Sequence, residues 1–304
     1  MKILIVGLGT QGRKRIKSIG SDLVGTVDPI SRDATYSQIT DVPIAYYDAV
    51  FLCVPDDAKQ ELITYCISNS KHILVEKPLV SNKSWNLTEL ENRANSAGIF
   101  MYTAYNHRFE PHFKSVKSVL ESQELGKIFS IKMFYGNGTS QLVKSSNWRD
   151  TGMGVISDLS PHLLDTLAFW FGIKKLKNLL LISHNFETKA PDHAVIHFSI
   201  EEVEVELEMS LCMWRNTFNC DIIGEKGSLH ISSLCKWGPS ILTQRKRVFP
   251  SGVPDEVITR LEMPDPTWEL EHDYFNSQIK KQSRTNLSTD YWIAESLSEM
   301  ESML

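Results

Sequence analysis

The sequence predicts an α/β protein in two domains, a parallel sheet with helices first and an antiparallel sheet after it. Three observations carry that expectation. The first third alternates continuous apolar runs with helix-like spacing, a glycine pattern follows the first apolar run, and period-two alternation takes over beyond residue 128. At 304 residues the chain also exceeds the usual size of one hydrophobic core.

Taken in order, "KILIV" (2–6), "LVGTV" (23–27), "AVFLCV" (49–54) and "HILVE" (72–76) are unbroken apolar runs, as strands covered on both faces require. "TQGRKRIKSIG", "DDAKQELITYCISNS" and "SWNLTELENRANSAG" read as helices between and after them, with a further strand at "IFMYTAY" (99–105). Strand–helix alternation of this kind builds a parallel sheet. Between Asp28 and Ala49 there is little room for a full helix. "PHFKSVKSVLES" then reads as a helix with Pro111 in its first turn. The later runs "IFSIKMFY", "HAVIHFSI", "VEVELEMSL", "FNCDIIG" and "SLHISSL" read as strands. In "VEVELEM", Val203, Val205, Leu207 and Met209 alternate with Glu204, Glu206 and Glu208, one buried face against one polar face. The turn "GEKGS" (224–228) points to antiparallel neighbours. The domains are placed at 1–104 and 105–304, with a C-terminal helix able to pack back on the first.

A net charge of −5 argues against nucleic acid as a partner. The five cysteines are odd in number and lack CxxC spacing, so reduced, buried thiols are expected rather than disulfides or a metal site. No run approaches the ~20 apolar residues of a membrane span, and "ILIVGLG" is too short and glycine-rich for a leader. A cytoplasmic protein with no membrane partner is the expectation.

"VGLGTQG" places Gly7, Gly9 and Gly12 as GxGxxG between a strand and a helix, with Thr10 and Gln11 inside the motif. Glycines there permit a tight turn and close backbone approach, and the helix amino terminus receives a pyrophosphate. Asp28 ends the second strand, where an acid holds adenosine ribose hydroxyls. A dinucleotide-binding Rossmann domain follows from that combination, with Pro55 at the end of the third strand as a further cofactor contact. Arg32 suits a 2′-phosphate, but Asp28 repels one, so NAD is preferred and NADP stays possible. "RKRIK" has two readings, a solvated helix face or a cationic patch awaiting an anion, and the solvated face is the simpler. Glu76, Lys77 and Pro78 fall at the carboxyl end of a parallel strand, where ligands of open α/β sheets bind; a strand-end salt bridge is the plain alternative. In "GMGVISDLSPHLLD", Asp158 and His162 lie four apart and so on one helix face, with imidazole suited to proton exchange near neutral pH. Pro161 either starts or kinks that helix. Asn106, Arg108, Trp148 and Arg149 are groups able to grip a hydroxylated or anionic substrate. No third ligand at zinc spacing is evident, so no metal is expected.

In this order, GxGxxG at 7–12, "EKP" at 76–78, "NHRF" at 106–109, "WR" at 148–149 and D-x-x-x-H at 158–162 resemble the glucose–fructose oxidoreductase/inositol dehydrogenase/rhizopine catabolism (Gfo/Idh/MocA) family. The resemblance covers nearly the whole chain. It implies a Rossmann domain followed by an α/β domain with a large, mostly antiparallel open sheet, through which relatives form homodimers or homotetramers. It places the catalytic lysine on Lys77, with Glu76 and Lys77 also at the cofactor, and the acidic and histidine active-site positions on Asp158 and His162. Relatives often carry the bond at Lys77–Pro78 in cis. The glycine cluster before the acid departs here as "TGMG". The function implied is NAD(P)-dependent hydride transfer at a secondary alcohol of a sugar. A nucleotide sugar of surface-polysaccharide synthesis is the leaning, from the tail "SGVPDEVITRLEMPDPTWELEHDYF". Lys77 and His162 would both meet the substrate. Alternatives are a free-sugar or inositol dehydrogenase, a biliverdin-type reductase, and a non-enzymatic dinucleotide-binding regulator.

Overall fold

A computed structural model describes residues 1–80, 85–146 and 149–304. The chain divides into two compact units, Met1–Asn106 with Thr267–Ala294, and His107–Pro266 with Glu295–Leu304.

In the first unit, strands β1 (Ile3–Val6), β2 (Leu23–Val27), β3 (Ala49–Leu52), β4 (His72–Glu76) and β5 (Met101–Ala104) form a parallel sheet ordered β2-β1-β3-β4-β5. Every residue of β1, β3 and β5 is buried; β1 and β3 are apolar throughout, and β5 also buries Thr103. Helices α1 (Thr10–Ile19), α2 (Asp56–Ser68) and α3 (Leu87–Ser96) follow β1, β3 and β4. After β2 the chain makes no α-helix before β3. Tyr36 instead bridges back to Val27, and short 3₁₀ turns occupy Ile39–Asp41 and Ile44–Tyr46.

The second unit opens with α4 (Pro111–Glu121) and holds β6 (Ile128–Gly136), α5 (Ser140–Lys144), α6 (Val155–Phe171), β7 (Leu176–His184), β8 (His193–Ile200), β9 (Val203–Ser210), β10 (Thr217–Gly224), β11 (Gly227–Ser232), β12 (Ser240–Lys246) and β13 (Glu256–Leu261). Its eight strands run β13-β12-β11-β10-β6-β9-β8-β7, antiparallel except for the β6–β9 pair. In β9, Val205, Leu207 and Met209 are buried, while Glu204 is exposed and Glu206 and Glu208 are half-buried, as the alternation requires. The strands β7, β12 and β13 carry little apolar alternation. Two of them are the edges of the sheet, where one flank has no ladder partner and burial gives the sequence less pattern.

Helix α6 starts on Gly154, whose φ is +50° and whose position leaves no room for a Cβ, which would meet the Pro191 carbonyl oxygen at 2.1 Å. Pro161 lies inside α6 and does not start it. Its missing N–H frees the Ser157 carbonyl, and the Ser160 hydroxyl donates to the Ile156 carbonyl in the same turn.

The segment after β13 returns to the first unit as α7 (Thr267–Lys280) and the start of α8 (Ser288–Glu301). Thr285 Oγ1 accepts from the Met101 amide and donates to the Ile99 carbonyl, so the outer edge of β5 is closed by this tail. Among the described residues no helix is long and apolar enough to cross a membrane.

Buried Asp192 organises the loop 185–192 of the second unit, accepting from the amides of Phe186, Glu187 and Thr188 and from the Thr188 hydroxyl. Burial works against its charge, yet those donors outweigh burial and hold the carboxyl below the usual range. Its contribution is therefore complete above the ordinary carboxylate pKa of about 4 and is lost as pH falls through the lower folded value. Urea unfolding followed from neutral pH into acid should show that loss, and Asp192→Asn should flatten the acid limb while lowering stability at pH 7. An unchanged acid limb in the variant would mean that Asp192 does not set it.

Candidate active site

The glycines of the first unit divide into two kinds. A Cβ on Gly7 would meet the Cys53 carbonyl oxygen at 2.3 Å, and one on Gly12 would meet the Gly7 carbonyl oxygen at 1.9 Å. Gly7 also has φ +94°, so both glycines are required by the turn itself. A Cβ on Gly9 would meet nothing within 4 Å. Gly9 caps α1 without a side-chain hydrogen bond, and the first turn of α1 has no acidic residue. Open space over an uncapped helix amino terminus fits a pyrophosphate.

Asp28 joins this loop to the end of β2. One oxygen accepts from the Leu8 amide at 2.7 Å, and the other accepts from Ile30 at 2.9 Å and Ser31 at 2.8 Å. Burial opposes its charge, but these three donors and nearby Arg13 hold it below the usual carboxylate range. A carboxylate offers about four lone-pair positions, so room is left for a ribose hydroxyl. Thr10, Gln11 and Pro55 are exposed around the same end of the sheet, Pro55 as the cap of α2.

The solvated-face expectation for "RKRIK" fails at Arg15. Arg13, Lys14 and Lys17 are exposed, but Arg15 is 1% exposed, its Nε 2.6 Å from Glu76 and its Nη2 2.9 Å from Glu271 of α7. Its guanidinium lies 4.8 Å from the Trp268 ring centre. Burial opposes the charge, and the two carboxylates more than restore it. The sequence held a signal for this: Arg15 shares a helix face with Gly12 and Ile19, both buried, at spacings of three and four. Lys77 follows Glu76 half-buried, and its bond to Pro78 is cis. Lys59, also 1% exposed, is 2.7 Å from Asp56 and donates to the Pro78 carbonyl.

In the second unit, Asp158 and His162 do share α6. Asp158 pairs with Arg149 at 3.4 Å. The half-buried His162 ring stacks on His107, with centres 4.2 Å apart and planes 19° apart, and Tyr135 flanks it at 5.8 Å. Lys236 Nζ lies 3.3 Å from His107 Nε2 and 3.4 Å from the Tyr135 hydroxyl, over the Trp237 ring at 4.6 Å. Burial lowers the Lys236 pKa, with Glu110 and Asp265 pulling it back. Tyr135, Lys236 and Trp237 were not legible as site residues. "CKWG" offers one cation beside one tryptophan, a pattern too common to single out.

The remaining expected contacts are distributed differently. Arg108 is engaged by buried Asp165, with Nε 2.9 Å from both oxygens. Asn106 is buried in the first unit and donates to Thr267 Oγ1 at 3.0 Å. Trp148 lies outside the described residues. Among the described residues no cluster of three or more His, Cys, Asp or Glu is placed to hold a metal ion.

Residues 1–105 match the family described as "Oxidoreductase family, NAD-binding Rossmann fold", and residues 113–230 match the GFO/IDH/MocA C-terminal domain. The chain belongs to the Gfo/Idh/MocA oxidoreductase family. Its first domain is an NAD-binding Rossmann fold, built on the glycine turn. A pig trans-1,2-dihydrobenzene-1,2-diol dehydrogenase is 23% identical over 174 residues, covering 54% of this chain and 51% of that protein. The chain spans about half the length of the curated relatives it matches. Levoglucosan dehydrogenase in complex with NADH shares the fold at a TM-score of 0.81, 15% identity and coverage of 99% and 97% of the two chains. UDP-N-acetylglucosamine 3-dehydrogenase GnnA from Acidithiobacillus ferrooxidans does so at 0.81, 15%, and 100% and 97%.

Because the Gly9 Cβ would enter open space, Gly9→Ala should keep the melting temperature of the parent while weakening NADH binding about tenfold or more, a loss of about 1.4 kcal/mol. Gly12→Ala should lower the melting temperature. Fluorescence titration and thermal unfolding check both, and unchanged NADH affinity in Gly9→Ala would remove the pyrophosphate from that space.

Proposed function

We propose that this family member is an NAD-dependent dehydrogenase of a secondary alcohol on a sugar ring, with Lys77, Asp158 and His162 in the chemical step. The observation that carries this reading is His162 itself. It is a half-buried imidazole whose plane is fixed by face-to-face stacking on His107, on the same helix face as an acid held by Arg149. A base held in one orientation before substrate arrives is what proton abstraction requires.

His162 accepts the proton of the substrate hydroxyl. Lys77 donates a hydrogen bond to the reacting oxygen and stabilises the negative charge that develops there. Asp158, one turn before His162, adds a negative charge that favours the imidazolium once the proton has moved. Bound NAD supplies the hydride acceptor. Glycines 7, 9 and 12 and Asp28 hold the dinucleotide, and Arg149 is the group of the second unit best able to meet a phosphate or carboxylate on the substrate.

The substrate class rests on related names. Levoglucosan, UDP-N-acetylglucosamine and trans-dihydrobenzenediol each carry a secondary alcohol on a six-membered ring. We infer that a ring-borne alcohol is the common requirement and that a nucleotide sugar is the form used here. We also propose association through the broad sheet, whose exposed Phe129, Leu180, Ile182 and Ile223 leave apolar surface to cover.

Turnover with NAD against nucleotide sugars, free sugars, inositols and dihydrodiols tests the assignment. The expected result is activity on a nucleotide sugar, reduced about 10²–10⁴-fold in His162→Ala. Lys77→Met should lose turnover with NADH binding kept. Near-full turnover in His162→Ala would remove the base assignment, and activity confined to free polyols would remove the nucleotide-sugar reading.

A further inference from the structure

The β4–β5 ladder ends at the pair Glu76↔Ala104, so Lys77 is the first residue the sheet no longer holds. Beyond a ladder, backbone groups must find other partners; the Pro78 carbonyl finds one in a buried cation, and a second buried cation takes the Glu76 side chain. Arg15 comes from α1 and Lys59 from α2, each 1% exposed. Arg15 reaches the Glu76 side chain at 2.6 Å, and Lys59 reaches the Pro78 carbonyl oxygen. The two targets are the immediate neighbours of Lys77, one on each side.

Only Lys59 carries its charge against its own helix, and Asp56 three residues before it, at 2.7 Å, offsets part of that cost. Lys59 stands at the end of the first turn of α2, where a positive charge opposes the helix dipole. Both cations are desolvated, and an apolar side chain of like volume would meet neither penalty. What an apolar residue cannot do is grip a carboxylate or a carbonyl. Glu271, 2.9 Å from Arg15, fixes the guanidinium from the other side, so that Arg15 is oriented as well as charged.

We propose that Arg15 and Lys59 are positioning residues for Lys77, holding the residue before it by its carboxylate and the residue after it by its carbonyl oxygen. This rests on the reading of Lys77 as the group that meets the reacting oxygen. Neither cation touches substrate. Each fixes where the backbone sends the Lys77 ammonium.

The test follows the ammonium directly. Competitive acylation of the full chain with acetic anhydride, read by peptide mass spectrometry, compares Lys77 with exposed Lys17 in the parent, Lys59→Met and Glu76→Gln. Glu76→Gln keeps the shape and an acceptor oxygen, so it reads the Arg15 arm even if Arg15→Met does not fold. Through-space charge alone gives opposite signs: losing the Lys59 cation slows acylation of Lys77, and losing the Glu76 anion speeds it. Loosened positioning gives one sign, faster acylation in both, and that is the result expected. Turnover should fall about 10–100-fold in both, as a misplaced reacting group does, with NADH affinity in Lys59→Met within about threefold. Opposite signs, or no change at Lys77 in the folded variants, would overturn the proposal. Lys77→Met with full turnover would instead sink the catalytic reading, and the acylation ratio would still decide the grip.

Discussion

One guanidinium between two carboxylates organises the first unit. Arg15 arrives from the helix after the glycine turn, Glu76 from the end of β4 and Glu271 from α7, so three segments far apart in sequence meet at a single buried charge. Such a contact is a weak source of net stability, because desolvation offsets most of its Coulombic gain. Its removal from one side is another matter, since an uncompensated buried charge costs about 3–5 kcal/mol. The interaction therefore acts mainly as a constraint: the glycine helix, the sheet end and the tail segment must dock in one arrangement or leave a charge stranded. The Trp268 and Phe51 faces around Arg15 are consistent with a planar cation, which stacks on rings as an ammonium does not.

The second unit holds its candidate base by different means. His162 lies in rings: His107 stacked beneath it, Tyr135 at its flank, and Lys236 aimed at both of those neighbours. Lys236 Nζ, 3.3 Å from His107 Nε2 and 3.4 Å from the Tyr135 hydroxyl, ties the stacked ring to the flanking one. Asp158, the expected partner of His162, is paired with Arg149. In the proposed mechanism it acts on His162 as a negative charge one helical turn away.

The legible part of this molecule was periodic or glycine-bound. β1 and β3 were plain because burial on both faces leaves no polar residue, and β9 was plain because burial on one face leaves every second one. Gly7 and Gly12 were readable because no other residue fits their turn. The segment that closes β5 was not, since Thr285 acts through hydrogen bonds to Met101 and Ile99 almost two hundred residues away and leaves no periodic trace. Arg108 and Asn106 were taken for substrate groups from their chemistry alone. Their buried partners, Asp165 and Thr267, lie 57 and 161 residues on, and no local pattern announces such a pairing. Arg15 marks the boundary between the two cases. Its helix face was computable from Gly12 and Ile19, but a charged residue on that face reads as solvated until its carboxylates are in view.

The interrupted run "ILVEKPLV" has its explanation in where backbone hydrogen bonding stops. Up to Glu76 the strand is held by β3 and β5, and apolar side chains suffice. Past that residue the ladder supplies nothing and Pro78 has no amide to give, so a side chain meets the Pro78 carbonyl, while Arg15 meets the Glu76 carboxylate at the last ladder pair. Polar groups able to do that at a core edge are buried, and buried polar groups hold only in matched sets. The ion pair at Glu76 and the ammonium on the Pro78 carbonyl are those sets. The end of a parallel strand is thus a place where the fold itself calls for fixed charges, and an unladdered residue between two of them is a position at which a reactive side chain can be aimed.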